Sequence, residues 1–108
     1  GEGTAEVKMA IKPFHLNGAD VVHGGALYTL ADFAFALASN TRGSLSLSIN
    51  TSMSFLKGAS EGTLTARARE IADGPKLASY TVDVFDAAGE LIAVFQGMVY
   101  RKKQQLPF

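Results

Sequence analysis

Apolar and polar residues alternate through most of the second half of the chain. Over residues 45–55 the apolar side chains all stand at odd-numbered positions, namely Leu45, Leu47, Ile49, Met53 and Phe55. A period of two predicts a strand with these residues on one face. Similar alternation predicts strands over residues 5–12, 63–69 and 78–84. Residues 91–99 have apolar side chains at both odd and even positions, which predicts a strand inside the sheet.

Residues 26–40 break this alternation. They consist almost entirely of Ala, Leu and Phe without Gly or Pro, which predicts a helix, and Ser39, Asn40 and Gly43 supply its stop signals. The order is therefore strand, helix and four strands joined by short turns. Short turns join antiparallel neighbours, so the sequence predicts an α+β fold in which one long helix packs on one antiparallel sheet.

The predicted helix is apolar nearly all round, so the sheet alone cannot cover it. We expect a second subunit to cover its other side. Asp32 is the only charged residue between His23 and Arg42. It is either a partly exposed acid, which a hydroxyl such as that of Thr29 could satisfy, or a catalytic carboxylate in a dry pocket. The residues alone leave both interpretations open.

The start of this helix carries the second candidate group. His23-Gly24-Gly25 precedes the apolar run, and the first turn of a helix presents free N–H groups at the positive end of its dipole. Glycine lets a ligand approach this backbone closely. The arrangement suits a polarised carbonyl or an oxyanion.

Composition narrows the possible partners. The 108 residues fit one domain, and ten basic against ten acidic residues argue against a nucleic-acid partner. The absence of cysteine excludes disulfides and a thiol nucleophile, and two histidines eight positions apart make a poor zinc set, so we predict no metal. No apolar run reaches the ~20 residues of a membrane span and no signal peptide opens the chain. We therefore expect a cytoplasmic protein without a membrane partner.

The segment from His15 through Asn17, His23-Gly24-Gly25 and Asp32 to Ala36 resembles the hotdog-fold acyl-CoA thioesterases. The similarity is closest to the phenylacetic acid degradation (PaaI-like) branch of the 4-hydroxybenzoyl-CoA thioesterase superfamily. It extends to residues 54–58 and 62–66 and to Phe95-Gln96-Gly97, and so covers nearly all of the chain. Family members carry a further N-terminal segment. We therefore expect a single hotdog domain over residues 1–108, with residues upstream missing.

The resemblance implies hydrolysis of a coenzyme A thioester with an aryl or a short or medium acyl group, without a cofactor. It implies that Gly24 donates its N–H to the thioester carbonyl and that Asp32 is the nucleophile or the general base. Asn17 would orient water or substrate. His23 would support the helix start, and it joins the predicted substrate-binding residues, which are His23, Gly25, Phe33, Lys57 and Gly58. Ala36 departs from related thioesterases that carry a hydroxyl one turn after the acid.

Geometry predicts that two subunits share each site. Gly24 and Asp32 are eight residues apart, or ~12 Å along a helix, which is too far for both to act on one thioester. Two antiparallel helices related by a two-fold axis can place Gly24 of one beside Asp32 of the other. We therefore predict a homodimer, and the resemblance implies a dimer-of-dimers tetramer.

The phosphates of coenzyme A require basic groups. The chain supplies Lys57, Arg67, Arg69, Lys76, Arg101, Lys102 and Lys103. Most of them are expected to lie on a solvated strand face or in a charged C-terminal tail. Two other functions remain as alternatives. One is a non-catalytic acyl-CoA binding or sensor module, and the other is a hotdog dehydratase or hydratase.

Overall fold

The computed structural model describes residues 2–19, 21–41 and 44–105, apart from the side chains of residues 44, 45 and 103–105. Gly43 and the side chains of Leu45 and Lys103, which carried predictions, lie outside the described residues. The elements follow the predicted order. They are β1 (Thr4–Ala10), a 3₁₀ turn (Pro13–His15), α1 (Gly24–Ser39), β2 (Ser44–Phe55), β3 (Thr63–Asp73), β4 (Leu77–Phe85) and β5 (Leu91–Gln105).

The described strands form one antiparallel sheet in the order β1-β3-β4-β5-β2. β5 has a neighbour on each side, which confirms that the strand with two apolar faces lies inside the sheet. β1 and β2 form the two edges. α1 packs across one face, called the inner face below, and this confirms the predicted α+β fold class.

The hydrophobic core fills the space between α1 and the inner face. Phe35 projects from the helix into its centre, where the ring centroids of Tyr80 and Phe95 lie 5.7 and 5.4 Å away. A Cβ at Gly97 would stand only 2.6 Å from Phe35 Cζ, so glycine in β5 makes room for this ring. Burial of one such aromatic side chain contributes about 1.5–3 kcal/mol.

Both ends of α1 are capped by side chains. The helix begins at Gly24, two residues before its predicted start, because the Nδ1 of His23 accepts the N–H of Ala26 at 2.9 Å. At the other end, the Nδ2 of Asn40 donates to the carbonyl oxygen of Ala36 at 2.9 Å. The stop predicted from residues 39 and 40 is therefore confirmed.

The prediction that all apolar residues of β2 share one face is wrong. Met53 pairs with the buried Phe95, whereas Leu47 pairs with the exposed Tyr100 on the other face of the sheet. The register of β2 shifts at Ile49. One extra residue in a strand moves every following side chain to the opposite face, and an unbroken alternation in the sequence does not reveal this bulge.

The outer side of α1 stays uncovered by the described part of this chain. Phe33 and Leu37 are 55% and 44% exposed. An exposed apolar face of this kind marks an interaction surface. The second subunit that we expect to cover the helix remains a prediction, and the structure shows the face that it would meet.

A buried ionic cluster joins the ends of β3, β4 and β5. The Nη2 of Arg101 donates to Glu70 Oε2 and to the Tyr80 hydroxyl, and it pairs with Asp73 Oδ1, each at 3.0 Å. The Tyr80 hydroxyl donates to the same Glu70 oxygen at 2.6 Å. The Arg101 side chain is only 8% exposed. Arg101 is therefore an exception to the expectation that most of the basic residues lie on a solvated face or in a tail, because β5 continues beyond Val99 and buries it.

Candidate active site

The start of α1 carries two backbone N–H groups, those of Gly24 and Gly25, that none of the described residues accepts. Both glycines are exposed, and the His23 side chain binds the N–H of Ala26 instead. Unpaired N–H groups at a helix N-terminus lie at the positive end of the helix dipole. They can bind a carbonyl oxygen and the oxyanion that forms from it.

Gly24 opens into a cavity of about 390 Å³, called the Gly24 cavity below. Two predicted substrate-binding residues, Lys57 and Gly58, line it together with Gly24. Its apolar walls are Val21, Val22, Leu27, Phe55 and Leu56. A Cβ at Gly24 would stand 3.1 Å from Phe55 Cζ, so the ring lies directly beside this residue. Phe55 was not predicted as a site residue from the sequence, because an aromatic residue at a strand end is more often part of a core.

Glu90 holds the ammonium group of Lys57 at the rim of this cavity. The two side chains form an ion pair, and 51% and 55% of their surfaces are exposed. The hydrogen bond to Glu90 raises the pKa of Lys57 above its ordinary value, so the side chain stays charged at neutral pH. A phosphate group would have to compete with Glu90 for this cation. The predicted substrate-binding role of Lys57 stays a prediction.

Asn17 folds the loop that precedes α1. Its Oδ1 accepts the N–H of Ala19 at 2.8 Å and that of Val21 at 3.3 Å. This turn brings Val21 against Gly58, where a Cβ would stand 3.1 Å from Val21 Cγ1. Asn17 thus shapes the Gly24 cavity through Val21. Its predicted role in orienting water or substrate remains a prediction.

His23 and Gly25 line a second cavity, of about 460 Å³. Its other lining residues are Met9, Phe14, His15, Ala26 and Thr29. The predicted substrate-binding residues are therefore divided among three places. Lys57 and Gly58 join Gly24, His23 and Gly25 line the second cavity, and Phe33 lies on the exposed side of α1.

Asp32 is half-buried two turns further along α1. None of the residues that the structure describes forms a hydrogen bond or an ion pair with its carboxylate. The hydroxyl of Thr29 donates to the carbonyl oxygen of Gly25 at 2.9 Å instead. Asp32 is therefore partly exposed but not satisfied by Thr29. Its carboxylate is available to a ligand or to another chain.

One chain cannot bring the two predicted catalytic groups together. Gly24 and Asp32 belong to the same helix, and eight residues span ~12 Å along its axis. A nucleophile must approach within ~3–3.5 Å of the carbon whose oxygen accepts the N–H. In the described ranges no three His, Asp or Glu side chains cluster as metal ligands do. Nor is any helix of those ranges long and apolar enough to cross a membrane.

The fold and this arrangement define a class of protein. A single long helix on a five-stranded antiparallel sheet is the hotdog fold. Free N–H groups at a helix N-terminus can polarise a carbonyl, and a carboxylate can act as a base or a nucleophile in acyl transfer to water. The family model of the Thioesterase superfamily matches residues 19–93. The chain belongs to the Thioesterase superfamily.

Individual relatives agree with this assignment. The chain is 48% identical over 107 residues to a presumed esterase of Archaeoglobus fulgidus, covering 98% of this chain and 70% of that protein. It is 35% identical to the acyl-coenzyme A thioesterase PaaI of Escherichia coli strain K12, covering 93% and 72%. The structure of the E. coli PaaI protein from the phenylacetic acid degradation operon matches with a TM-score of 0.93 at 33% identity, covering 97% and 77%. The resemblance to the PaaI-like branch is confirmed, and the chain is an enzyme of the thioester hydrolase class.

Proposed function

We propose that this chain hydrolyses the thioester bond of an acyl-CoA to release the free acid and coenzyme A. The backbone N–H of Gly24 polarises the thioester carbonyl, and the partner subunit's Asp32 is the nucleophile or the general base. The observation that carries the proposal is the unbonded N–H at the start of α1 in a chain whose Asp32 has no partner among the described residues. The E. coli relative, which is named an acyl-coenzyme A thioesterase, supports coenzyme A as the thiol.

The chemistry begins at the thioester carbon. Water or the Asp32 carboxylate adds to it, and the carbonyl oxygen becomes an oxyanion that accepts the Gly24 N–H. The C–S bond then breaks and the coenzyme A thiolate leaves. As a general base, Asp32 takes a proton from the attacking water and passes it to the thiolate. As a nucleophile, Asp32 forms an anhydride with the acyl group; water then adds to the acyl carbon, the bond from that carbon to the Asp32 oxygen breaks, and the proton that the water releases neutralises the thiolate. Both routes consume one water, restore the carboxylate and need no cofactor.

Each site requires two subunits under this proposal. Antiparallel packing of two α1 helices puts Gly24 of one protomer beside the partner's Asp32 and repeats the arrangement at the second site. Phe33 and Leu37 lie ~100° or more around the helix from both of these groups, so this packing leaves them exposed and available to a further subunit. We further expect two dimers to associate into a tetramer, as the family resemblance implies. Sedimentation equilibrium distinguishes the monomer of 11.4 kDa from either assembly.

The Gly24 cavity sets the kind of acyl-CoA that we expect. Its volume of about 390 Å³ lies at the lower end of small-molecule sites, and its walls are apolar. We therefore propose an aryl group or a short or medium acyl group at the thioester end. Lys57 at the rim would meet a phosphate of coenzyme A, since a charged ammonium binds phosphate oxygens.

A thiol-release screen over aryl, short, medium and long acyl-CoAs tests the reaction. The N–H itself is tested by Gly24→Pro, with Gly24→Ala as the matched control that adds bulk but keeps the donor. Proline fits this first helical position because His23 before it is extended, at φ −71° and ψ 154°. We expect Gly24→Pro to lower kcat by about 10²–10³-fold.

Two outcomes would contradict the proposal. If no acyl-CoA releases thiol with the wild-type protein, hydrolysis itself is wrong. If Gly24→Pro and Gly24→Ala are equally active, another group polarises the carbonyl.

A further inference from the structure

The shared site determines which residue lies at the two-fold axis; this inference rests on the proposed function. When Gly24 faces the partner's Asp32 across two antiparallel helices, the position midway between them faces its own copy. That position is Tyr28, which is ~6 Å along the helix axis from each. It is also midway around the helix, ~40° from each. We propose that Tyr28 stands at the two-fold axis against the partner's Tyr28 and sets the distance between the two helices.

The contacts of Tyr28 place it on the side of α1 that a second subunit can reach. Its hydroxyl lies 2.8 Å from the hydroxyl of Thr51, which belongs to β2. Gly24 lies one helical turn before Tyr28, and it contacts Phe55 of the same strand. β2 is an edge of the sheet, and no strand of the described ranges lies beyond it. Gly24 and Tyr28 therefore lie on the side of α1 that faces the β2 edge of the sheet.

The side chain of Tyr28 is packed in a way that suits a spacer between two helices. Its ring meets the ring of Phe95 edge-on at a centroid distance of 5.5 Å, and its hydroxyl is bound to Thr51. These contacts fix both ends of the side chain, yet 37% of its surface is exposed. A ring that is fixed by its own chain and still exposed can hold a neighbouring helix at a set distance.

A spacer at the axis acts on both sites at once. Removal of the ring lets the helices approach, which displaces Asp32 of each protomer from the thioester held at the partner's Gly24. A displacement of ~1 Å can lower the rate about 100-fold. We therefore expect Tyr28→Ala to lower kcat by about 100-fold with little change in KM, because substrate contacts elsewhere remain. Tyr28→Phe keeps the ring, loses only the bond to Thr51, and is expected to retain most of kcat.

Chemical cross-linking tests the position directly, because the chain contains no cysteine. Tyr28→Cys and Ala36→Cys are each treated with a short bis-maleimide, which can join facing thiols of two helices whose axes lie about 8–10 Å apart. Ala36 is exposed on the same helix, eight residues further on, so its two copies lie ~24 Å apart along the antiparallel helices. We expect a covalent dimer for Tyr28→Cys and none for Ala36→Cys. The reverse pattern, or no covalent dimer with either variant, overturns the inference.

A distance measurement applies even if Tyr28→Cys fails to fold. Spin labels on Ala36→Cys should lie about 26 Å apart, from ~24 Å along the helices and 8–10 Å between them. Each residue by which the axis moves changes this separation by ~3 Å. A distance that puts the axis more than one turn from Tyr28 contradicts the inference.

Parallel assays keep this inference apart from the proposed function. An active wild-type enzyme whose label distance puts the axis elsewhere refutes the role of Tyr28 and leaves acyl-CoA hydrolysis standing. An inactive wild-type protein that cross-links through Tyr28→Cys supports the axis and refutes hydrolysis. Equal kcat values for Tyr28→Ala and Tyr28→Phe refute the spacer role alone.

Discussion

Two acidic residues, Glu70 and Asp32, occupy opposite situations in this molecule. Glu70 is 12% exposed and is bound by both Arg101 and Tyr80. Asp32 is half-buried and has no partner among the described residues. Removal of one member of a buried ion pair typically costs about 3–5 kcal/mol, so the Glu70 cluster is a structural feature. Asp32 therefore differs from Glu70 in its lack of a partner among the described residues as well as in its smaller degree of burial.

The local structure explains this difference. Glu70 stands opposite Tyr80 in the register of β3 and β4, so strand pairing itself supplies its first partner. Asp32 lies on a helix whose neighbouring side chains are apolar or bonded elsewhere, Thr29 to the backbone and Tyr28 to Thr51. The same fold therefore satisfies one carboxylate and leaves the other without a partner in the part of the chain that the structure describes.

The substitution Asp32→Asn should have the largest effect, and this effect is on catalysis. The change keeps the shape of the side chain but removes the base and the nucleophile, so we expect kcat to fall by about 10³-fold or more. The melting temperature should stay within a few degrees of the wild-type value. Glu70→Gln is the matched control, and it should lower the melting temperature while each folded molecule keeps most of its kcat. An active Asp32→Asn enzyme would assign Asp32 a structural role.

Arg101→Met should have the largest effect on stability. It leaves Glu70 and Asp73 without their shared cation, and we expect a loss of about 3–5 kcal/mol in the free energy of unfolding by urea. Arg67→Met is the control, because the pair of Arg67 with Glu6 is largely exposed, and exposed pairs contribute about 0–1 kcal/mol. Equal losses for the two variants would show that the buried cluster is not special.

Alkaline titration probes the same cluster through Tyr80. Burial, and then the hydrogen bond to Glu70, raise the pKa of Tyr80 to about 12. An unfolded tyrosine ionises near pH 10, so the unfolded state loses its proton at a lower pH than the folded state does. The contribution of Tyr80 to the free energy of unfolding is therefore lost as the pH rises from about 10 toward 12. Below that range it is present in full. Ultraviolet absorbance of tyrosinate, with Tyr80→Phe as the reference, should show that Tyr80 is the last tyrosine to ionise. Ionisation of Tyr80 near pH 10 in the folded protein would contradict the account.

The smallest expected effect concerns the exposed pair of Lys57 and Glu90. If Lys57 meets a phosphate of coenzyme A, Lys57→Gln should raise KM several-fold, and the effect should weaken in salt. Glu90→Gln releases Lys57 and should leave KM unchanged or lower it. Neither change should alter kcat or stability much, because both side chains are about half exposed. An unchanged KM for Lys57→Gln would remove it from the substrate site.

Much of the fold was predictable because its signals are local. Alternation marked the strands, and an apolar run without Gly or Pro marked α1. Two features were not predictable because they depend on strand pairing. The bulge at Ile49 becomes visible only through the register with β5, and the burial of Arg101 only through its contacts with residues of β3 and β4.

The candidate site was predictable to a similar degree. Gly24 and Asp32 were identified from the helix start and from a lone charge in an apolar helix, and the structure shows both without partners among the described residues. The ring of Phe55 beside Gly24 and the contact of Val21 with Gly58 arise from tertiary packing, which no short motif encodes. The catalytic and binding roles themselves remain predictions.

Complementation of two inactive variants tests the shared site most directly. Asp32→Ala and Gly24→Pro are purified separately, unfolded, mixed and refolded, and native mass spectrometry counts the mixed dimers. In a mixed dimer one site carries both lesions and the other carries neither. Random association makes about half of the dimers mixed, so activity should return to about a quarter of the wild-type value. If mixed dimers form and the sample stays as inactive as either parent, Gly24 and Asp32 do not meet across subunits and the account is wrong.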